Sequence, residues 1–125
     1  MCTKNVSIFL IILATFLTTS SLHAKPPIFL DNHQEAVEVS KKFKQRLLLI
    51  FSADWCSYCV KLKNDISKNM DIFEDTTICT IDIDKNPSIA KNYGIKKIPK
   101  TVIFDSAGKK IKEINGYFDV KTLGE

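Results

Sequence analysis

At 125 residues, 45% of them hydrophobic, the chain can form one compact domain but not two, and it is too apolar to be a disordered segment. Its net charge of +4 is modest, and its lysines are scattered among aspartates rather than gathered in a stripe. That pattern excludes a nucleic-acid-binding surface and leaves no nucleic-acid partner to expect.

Residues 1–24 form a separate unit with the pattern of a signal peptide. Lys4 supplies the positive start, and residues 6–17 give an apolar core of about 12 residues. Thr18 to Ser21 are small and polar, and Ala24 marks a cleavage point, although Leu22 occupies the outer position where a small residue is usual. An uncleaved anchor would need about 20 apolar residues, so cleavage is expected and a membrane-anchored form is the alternative. Residues 25–125 are then the exported domain. Cys2 is lost with the leader, which leaves Cys56, Cys59 and Cys79. An odd count does not describe a disulfide-stapled scaffold; it suits one redox pair plus a single thiol.

Lys25-Pro26-Pro27 predicts an extended lead-in, followed by a short edge strand at residues 28–30. Asp31 or Asn32 can cap a helix, and Glu35 stands three residues after Asn32, as in a capping box. Ala36, Val39, Ser40 and Phe43 give that helix a narrow buried face. His33 is expected at the surface without a role, and Lys41, Lys42, Lys44 and Arg46 form a solvated end. The unbroken apolar run at residues 47–51 predicts a strand buried on both faces.

Trp55-Cys56-Ser57-Tyr58-Cys59 comes next, and Cys59, Leu62, Ile66 and Met70 then fall on one stripe of a helix. Cys56 therefore lies at a helix N-terminus, where free N–H groups and the dipole stabilise a thiolate. Cys59 faces the core. One exposed, activated sulfur and one shielded partner are what a two-step thiol–disulfide exchange needs.

Residues 71–76 read as a polar connection and residues 77–83 as a strand, with Cys79, Ile81 and Ile83 on one face and Ile78 on the other. Cys79 is expected to pack rather than react. Asn86, Pro87 and Gly94 mark the cap, first position and end of a helix that packs through Ile89, Ala90 and Tyr93. Ile98-Pro99 precedes a strand at residues 101–104, residues 105–108 turn the chain, and residues 109–114 return as the paired strand. Asp119 can cap a last helix that Gly124 stops after about one turn.

Other readings of the cysteine pair fare worse. Zinc would need a second pair of ligands at suitable spacing, and covalent haem would need histidine where Val60 stands. So tight a loop is also a poor structural staple. Neither a metal nor a cofactor is expected.

The segment Phe51-Ser-Ala-Asp-Trp-Cys-Ser-Tyr-Cys59 resembles the strand, aromatic-Cys-x-x-Cys motif and helix of the thioredoxin superfamily. Ile81-Asp-Ile-Asp-Lys-Asn-Pro87, Tyr93-Gly-Ile-Lys-Lys-Ile-Pro99, Phe104-Asp-Ser-Ala-Gly108 and Gly116 extend the resemblance, in the family's order, over most of residues 43–119. It implies an α/β, thioredoxin-like fold with a central mixed sheet of four to five strands and helices on both faces. Together with the leader pattern of residues 1–24, it implies an exported, periplasmic thiol–disulfide oxidoreductase, monomeric, which reduces protein or peptide disulfides and is recharged by a membrane-embedded electron donor. Cys56 would attack and Cys59 resolve, with Ser57 and Tyr58 completing the motif. Trp55 would shield the thiol and help dock substrate. Ile98 and a cis Pro99 would pair with an extended substrate, and Gly116 would leave room for its backbone. An isomerase or oxidase of the same fold, or a non-catalytic binding module, is the alternative.

Several positions depart from thioredoxin itself. Ser57-Tyr58 replaces Gly-Pro, Ile50 stands where the family has a buried acid, and Thr80 where it often has a lysine. Asp54 is then the candidate base for Cys59. Ile98, a β-branched apolar residue before the proline, is common in reducing members of the family.

Overall fold

The computed structural model describes residues 23–124; the expected leader, up to residue 22, lies outside the described residues. In chain order the elements are β1 (Ile28–Leu30), α1 (His33–Phe43), β2 (Arg46–Ser52), α2 (Ser57–Lys68), β3 (Thr76–Asp82), α3 (Pro87–Asn92), β4 (Lys100–Phe104) and β5 (Lys110–Asn115). Single 3₁₀ turns lie at Met70–Phe73 and Val120–Leu123. The strands form one mixed sheet in the order β1-β3-β2-β4-β5. β3 runs parallel to both β1 and β2, whereas β4 runs antiparallel to β2 and β5.

β2 is central, and the period of two in a strand divides its apolar run between two cores. Leu48 and Ile50 face α2 and the two 3₁₀ turns, packing with Leu62, Ile66, Phe73, Ile78, Ile103 and Val120. Leu47, Leu49 and Phe51 face the other way, toward Ala36 of α1, Cys79, Ile81 and Val102, with Ile89 and Tyr93 closing the edge. A strand covered on both faces has no side left for polar residues, which is why its sequence does not alternate.

Asn32 caps α1 as the capping pattern requires, its side chain accepting the Glu35 N–H at 3.0 Å. The buried face of α1 differs from expectation. Ala36 and Ser40 are buried, but Val37 rather than Val39 packs on the core, and Phe43 is exposed. The helix ends at Lys44 in the left-handed conformation (φ 52°), and the chain turns into β2 before Phe43 can reach the sheet. The Lys25 and Lys42 ammonium groups lie 5.6 and 5.5 Å from its ring centroid instead. His33 is not a plain surface residue either. It is half-buried, its Nε2 lies 3.0 Å from the Tyr93 hydroxyl, and burial lowers its pKa below the usual histidine value.

A second difference follows α2. Cys59, Leu62 and Ile66 are buried as predicted, but Met70 is 40% exposed. The helix stops at Lys68, Asn69 leaves helical geometry (φ −128°), and the following turn starts in a new phase. Phe73, expected in a polar connection, is fully buried instead. The predicted strands shift by about a residue, a normal boundary error. Asn86 does not cap α3 with its side chain, which donates to the Asp82 carbonyl. Asp119 does cap the last turn, accepting the Lys121 N–H, and Val120 is thereby buried against α2's side of the sheet.

Candidate active site

The C-terminal end of β2 delivers the chain to α2, and Cys56 is the cap between them. Its backbone is extended (φ −89°, ψ 103°), and its Sγ accepts the Cys59 N–H at 3.2 Å. A sulfur thus occupies the place of a capping oxygen, where an N–H dipole favours negative charge. Cys56 and Cys59 form a disulfide across a Cα–Cα distance of 5.2 Å. Cys59 has no exposed surface and Cys56 only 8%, so the attacking sulfur is far less open than the sequence suggested. In the oxidised pair it is turned inward, toward its partner. The order of accessibility is the expected one.

Trp55 projects into solvent, 71% exposed, but its indole is held: Nε1 donates to Asp84 Oδ2 at 2.9 Å. With Ile83, Ile95, Lys96, Lys97 and Ile98 it lines a cleft of about 330 Å³. The structure therefore brings Trp55 and Ile98 together. The Ile98–Pro99 peptide bond is cis, Pro99 is buried, and its carbonyl accepts the Gly116 N–H at 2.7 Å. Gly116 has φ +82°, a region that disfavours any side chain, and open space lies where a Cβ would stand. Conformation demands the glycine, and the space above it is free for an incoming backbone.

Ser57 is exposed, and Tyr58 is 63% exposed, its ring centroid 6.2 Å from that of Tyr117. Tyr117 was not anticipated. Its hydroxyl donates to Asp65 Oδ2 at 2.6 Å, and Lys61 Nζ contacts that hydroxyl, lies 3.8 Å from the ring centroid and pairs with Asp65 at 2.9 Å. The signal was half visible, since Tyr58, Lys61 and Asp65 are three and seven residues apart and so share a helix face. Asp84 was missed as well.

The departures from thioredoxin have a physical counterpart. Ile50 has no exposed surface and is the β2 register partner of Thr80. Both line a cleft of about 180 Å³ with Phe29, Lys63, Ile66, Ser67 and Ile78. No carboxylate lines that cleft. Asp54 is solvent-exposed and makes no hydrogen bond to the pair.

Cys79 is a buried free thiol in the core on the opposite face of the sheet from α2. Burial, reinforced by Asp31 and Glu35, pushes its pKa up to about 12. At pH 7 about one molecule in 10⁵ would carry that thiolate. Cys79→Ser is expected to reduce a peptide disulfide within about twofold of the parent rate. A folded variant that lost turnover would contradict this.

A family model for a thioredoxin-like domain matches residues 33–124. A thioredoxin of Griffithsia pacifica is 32% identical over 92 residues, spanning 73% of this chain and 80% of that protein. A thioredoxin of Chlorobaculum thiosulfatiphilum is 35% identical over 71 residues, spanning 56% of this chain and 65% of that protein. Among solved structures, a mutant thioredoxin from Halobacterium salinarum superposes with a TM-score of 0.67 at 28% identity, covering 82% of this chain and 89% of that one.

Proposed function

The chain belongs to the thioredoxin-like domain family, and on that premise we propose that it is an exported thiol–disulfide oxidoreductase working as a reductase of protein or peptide disulfides. The observation that carries this reading is the Cys56–Cys59 pair, with Cys56 Sγ at the head of α2 receiving an N–H and Cys59 sealed beneath it. In the reduced protein the Cys56 thiolate attacks one sulfur of a substrate disulfide. A Cys56–substrate bond forms, and the other substrate sulfur leaves as a thiolate and takes a proton. Cys59, deprotonated, then attacks Cys56 Sγ and expels the second substrate thiol. Two electrons and two protons pass from the pair to the substrate, and the Cys56–Cys59 disulfide remains. The sulfurs themselves carry the electrons, so the exchange calls for no cofactor. Trp55 and Ile98 border the cleft that would receive an extended substrate, with Pro99 and Gly116 supplying its backbone floor.

Each cycle leaves the pair oxidised, so a dithiol donor must restore it. For an exported domain that donor is membrane-embedded. Export rests on the leader pattern of residues 1–24. Supporting cleavage after Ala24, the Lys25 N–H already points at Asp75 Oδ1 at 3.2 Å. Cleavage there would convert an amide into an ammonium beside a carboxylate. The edge strand β5 carries Lys110 and Lys112, which discourage pairing with a second sheet and suit a monomer.

Direction rests on Ile98. A hydroxyl at that place could hydrogen-bond the thiolate and favour the reduced pair; an isoleucine cannot, which leaves the disulfide more stable and the potential lower. Tyr58 argues for the isomerase alternative, since aromatic residues within the pair also occur there. Equilibration with glutathione separates them. A potential of about −270 mV supports the reductase, whereas one of about −180 mV supports the isomerase and one of about −120 mV, typical of a strong oxidant, supports an oxidase; either of these overturns the reductase reading.

A further inference from the structure

Two exposed aromatic rings flank Cys56 within the motif, and they are held in different ways. Trp55 belongs to the cleft with Ile98 and is fixed by Asp84. Tyr58 is packed near Tyr117, the residue directly after Gly116, whose N–H is bonded to the Pro99 carbonyl. The two rings extend from different segments, Tyr58 from α2's first turn, two residues after Cys56, and Tyr117 from the chain that follows Gly116. Tyr117 is anchored at both ends. Its hydroxyl is bonded to Asp65, and its ring packs against Lys61, which is itself paired with Asp65. Lys61 and Asp65 are surface charges, so this cluster contributes geometry more than stability.

We propose that Tyr58 and Tyr117 form an aromatic wall that selects disulfides in which the attacked cysteine neighbours an aromatic or large apolar side chain, with Tyr117 as the positioning residue that holds the Tyr58 ring. This deepens the reductase reading and rests on it. Tyr58 stands in the first turn of α2, two residues after the Cys56 cap, so a substrate bonded at Cys56 has its neighbouring residues within reach of that ring. Lys61 takes up one side of the Tyr117 ring, which leaves the largely exposed Tyr58 ring as the contact surface for substrate. Aromatic pairs favour offset or tilted contacts, and the 42° between the two rings leaves Tyr58 inclined rather than stacked flat on its neighbour. The Tyr117 hydroxyl raises the pKa of Lys61 and lowers that of Asp65 through its hydrogen bonds, each with help from the other charge, so the clamp persists through neutral pH.

The test uses two synthetic peptide disulfides that differ only in the residue beside the cysteine, phenylalanine or serine. The parent is expected to favour the phenylalanine peptide in kcat/KM by about threefold to tenfold, expressed in KM rather than kcat. Tyr58→Ala and Tyr117→Ala should bring the ratio close to one by raising KM for that peptide. Tyr117→Phe, which keeps the ring and removes its bond to Asp65, should give an intermediate ratio. Tyr58 is solvent-exposed, so its variant keeps the test decisive if Tyr117→Ala fails to fold. A parent that reduces both peptides equally, or a Tyr58→Ala variant that keeps the parent ratio, overturns the wall and leaves the reductase reading intact. A parent that reduces neither peptide overturns both.

Discussion

Cys56→Ser is expected to lower disulfide reduction by on the order of a thousandfold or more, whereas Cys59→Ser should retain the first chemical step and stall as a mixed disulfide. The asymmetry follows from the placement of the two sulfurs. Cys56 is the one residue of the pair with any exposed surface and caps α2, so its thiolate gains an N–H and is the better placed to meet a substrate. Cys59, fully buried one turn further along α2, can meet only a sulfur already bonded at Cys56. Among the described residues the remaining thiol is Cys79, whose pKa of about 12 and position on the far side of the sheet leave it unable to substitute. Incubating each variant with a disulfide-containing protein and separating the products without reductant would check this. A ladder of adducts should form with Cys59→Ser and be nearly absent with Cys56→Ser. Alkylation of the reduced parent at neutral pH should label Cys56 first, and the reverse order would exchange the two roles.

What could be read from the sequence was what depends on near neighbours. The buried strand Arg46–Ser52, the capped start of α1 and the helix after Cys56 are written in runs and spacings of a few residues. Resemblance added the mixed sheet of four to five strands with helices on both faces. Three kinds of feature were less legible. Helix phase could not be carried across Asn69, so Met70 was assigned to a core that Phe73 fills. Phe43 is the last residue of α1 and lies exposed where the helix ends at the left-handed Lys44, and periodicity cannot foresee where a helix stops. Contacts between distant segments were invisible: Tyr117 meets Asp65 across 52 positions, and Trp55 meets Asp84 across 29. The modest exposure of Cys56 belongs with these, because it depends on the state of a bond rather than on the helix register.

Phe73→Ala is expected to destabilise the domain by about 3–5 kcal/mol, the cost of deleting a buried aromatic side chain. Phe73 has no exposed surface and fills the core between Leu48, Ile50, Leu62, Ile66 and Val120, where β2, α2 and the two 3₁₀ turns meet. Replacement leaves a cavity at that junction, and the single turn Val120–Leu123 is a short element to collapse into it. Domains of this size have a total stability of about 5–15 kcal/mol, so the loss is a large fraction of the whole. At about 4 °C or more per kcal/mol, Tm should fall by at least about 12 °C. Met70→Ala is the control, because periodicity alone placed Met70 in this core. Its side chain is 40% exposed, and its loss should cost about 1 kcal/mol or less. Both variants should be unfolded by heat and by urea with the Cys56–Cys59 pair held oxidised throughout, so that redox state does not confound the comparison. If Met70→Ala proved as costly as Phe73→Ala, the stripe of α2 would have to continue past Asn69, and the change of phase there would be wrong.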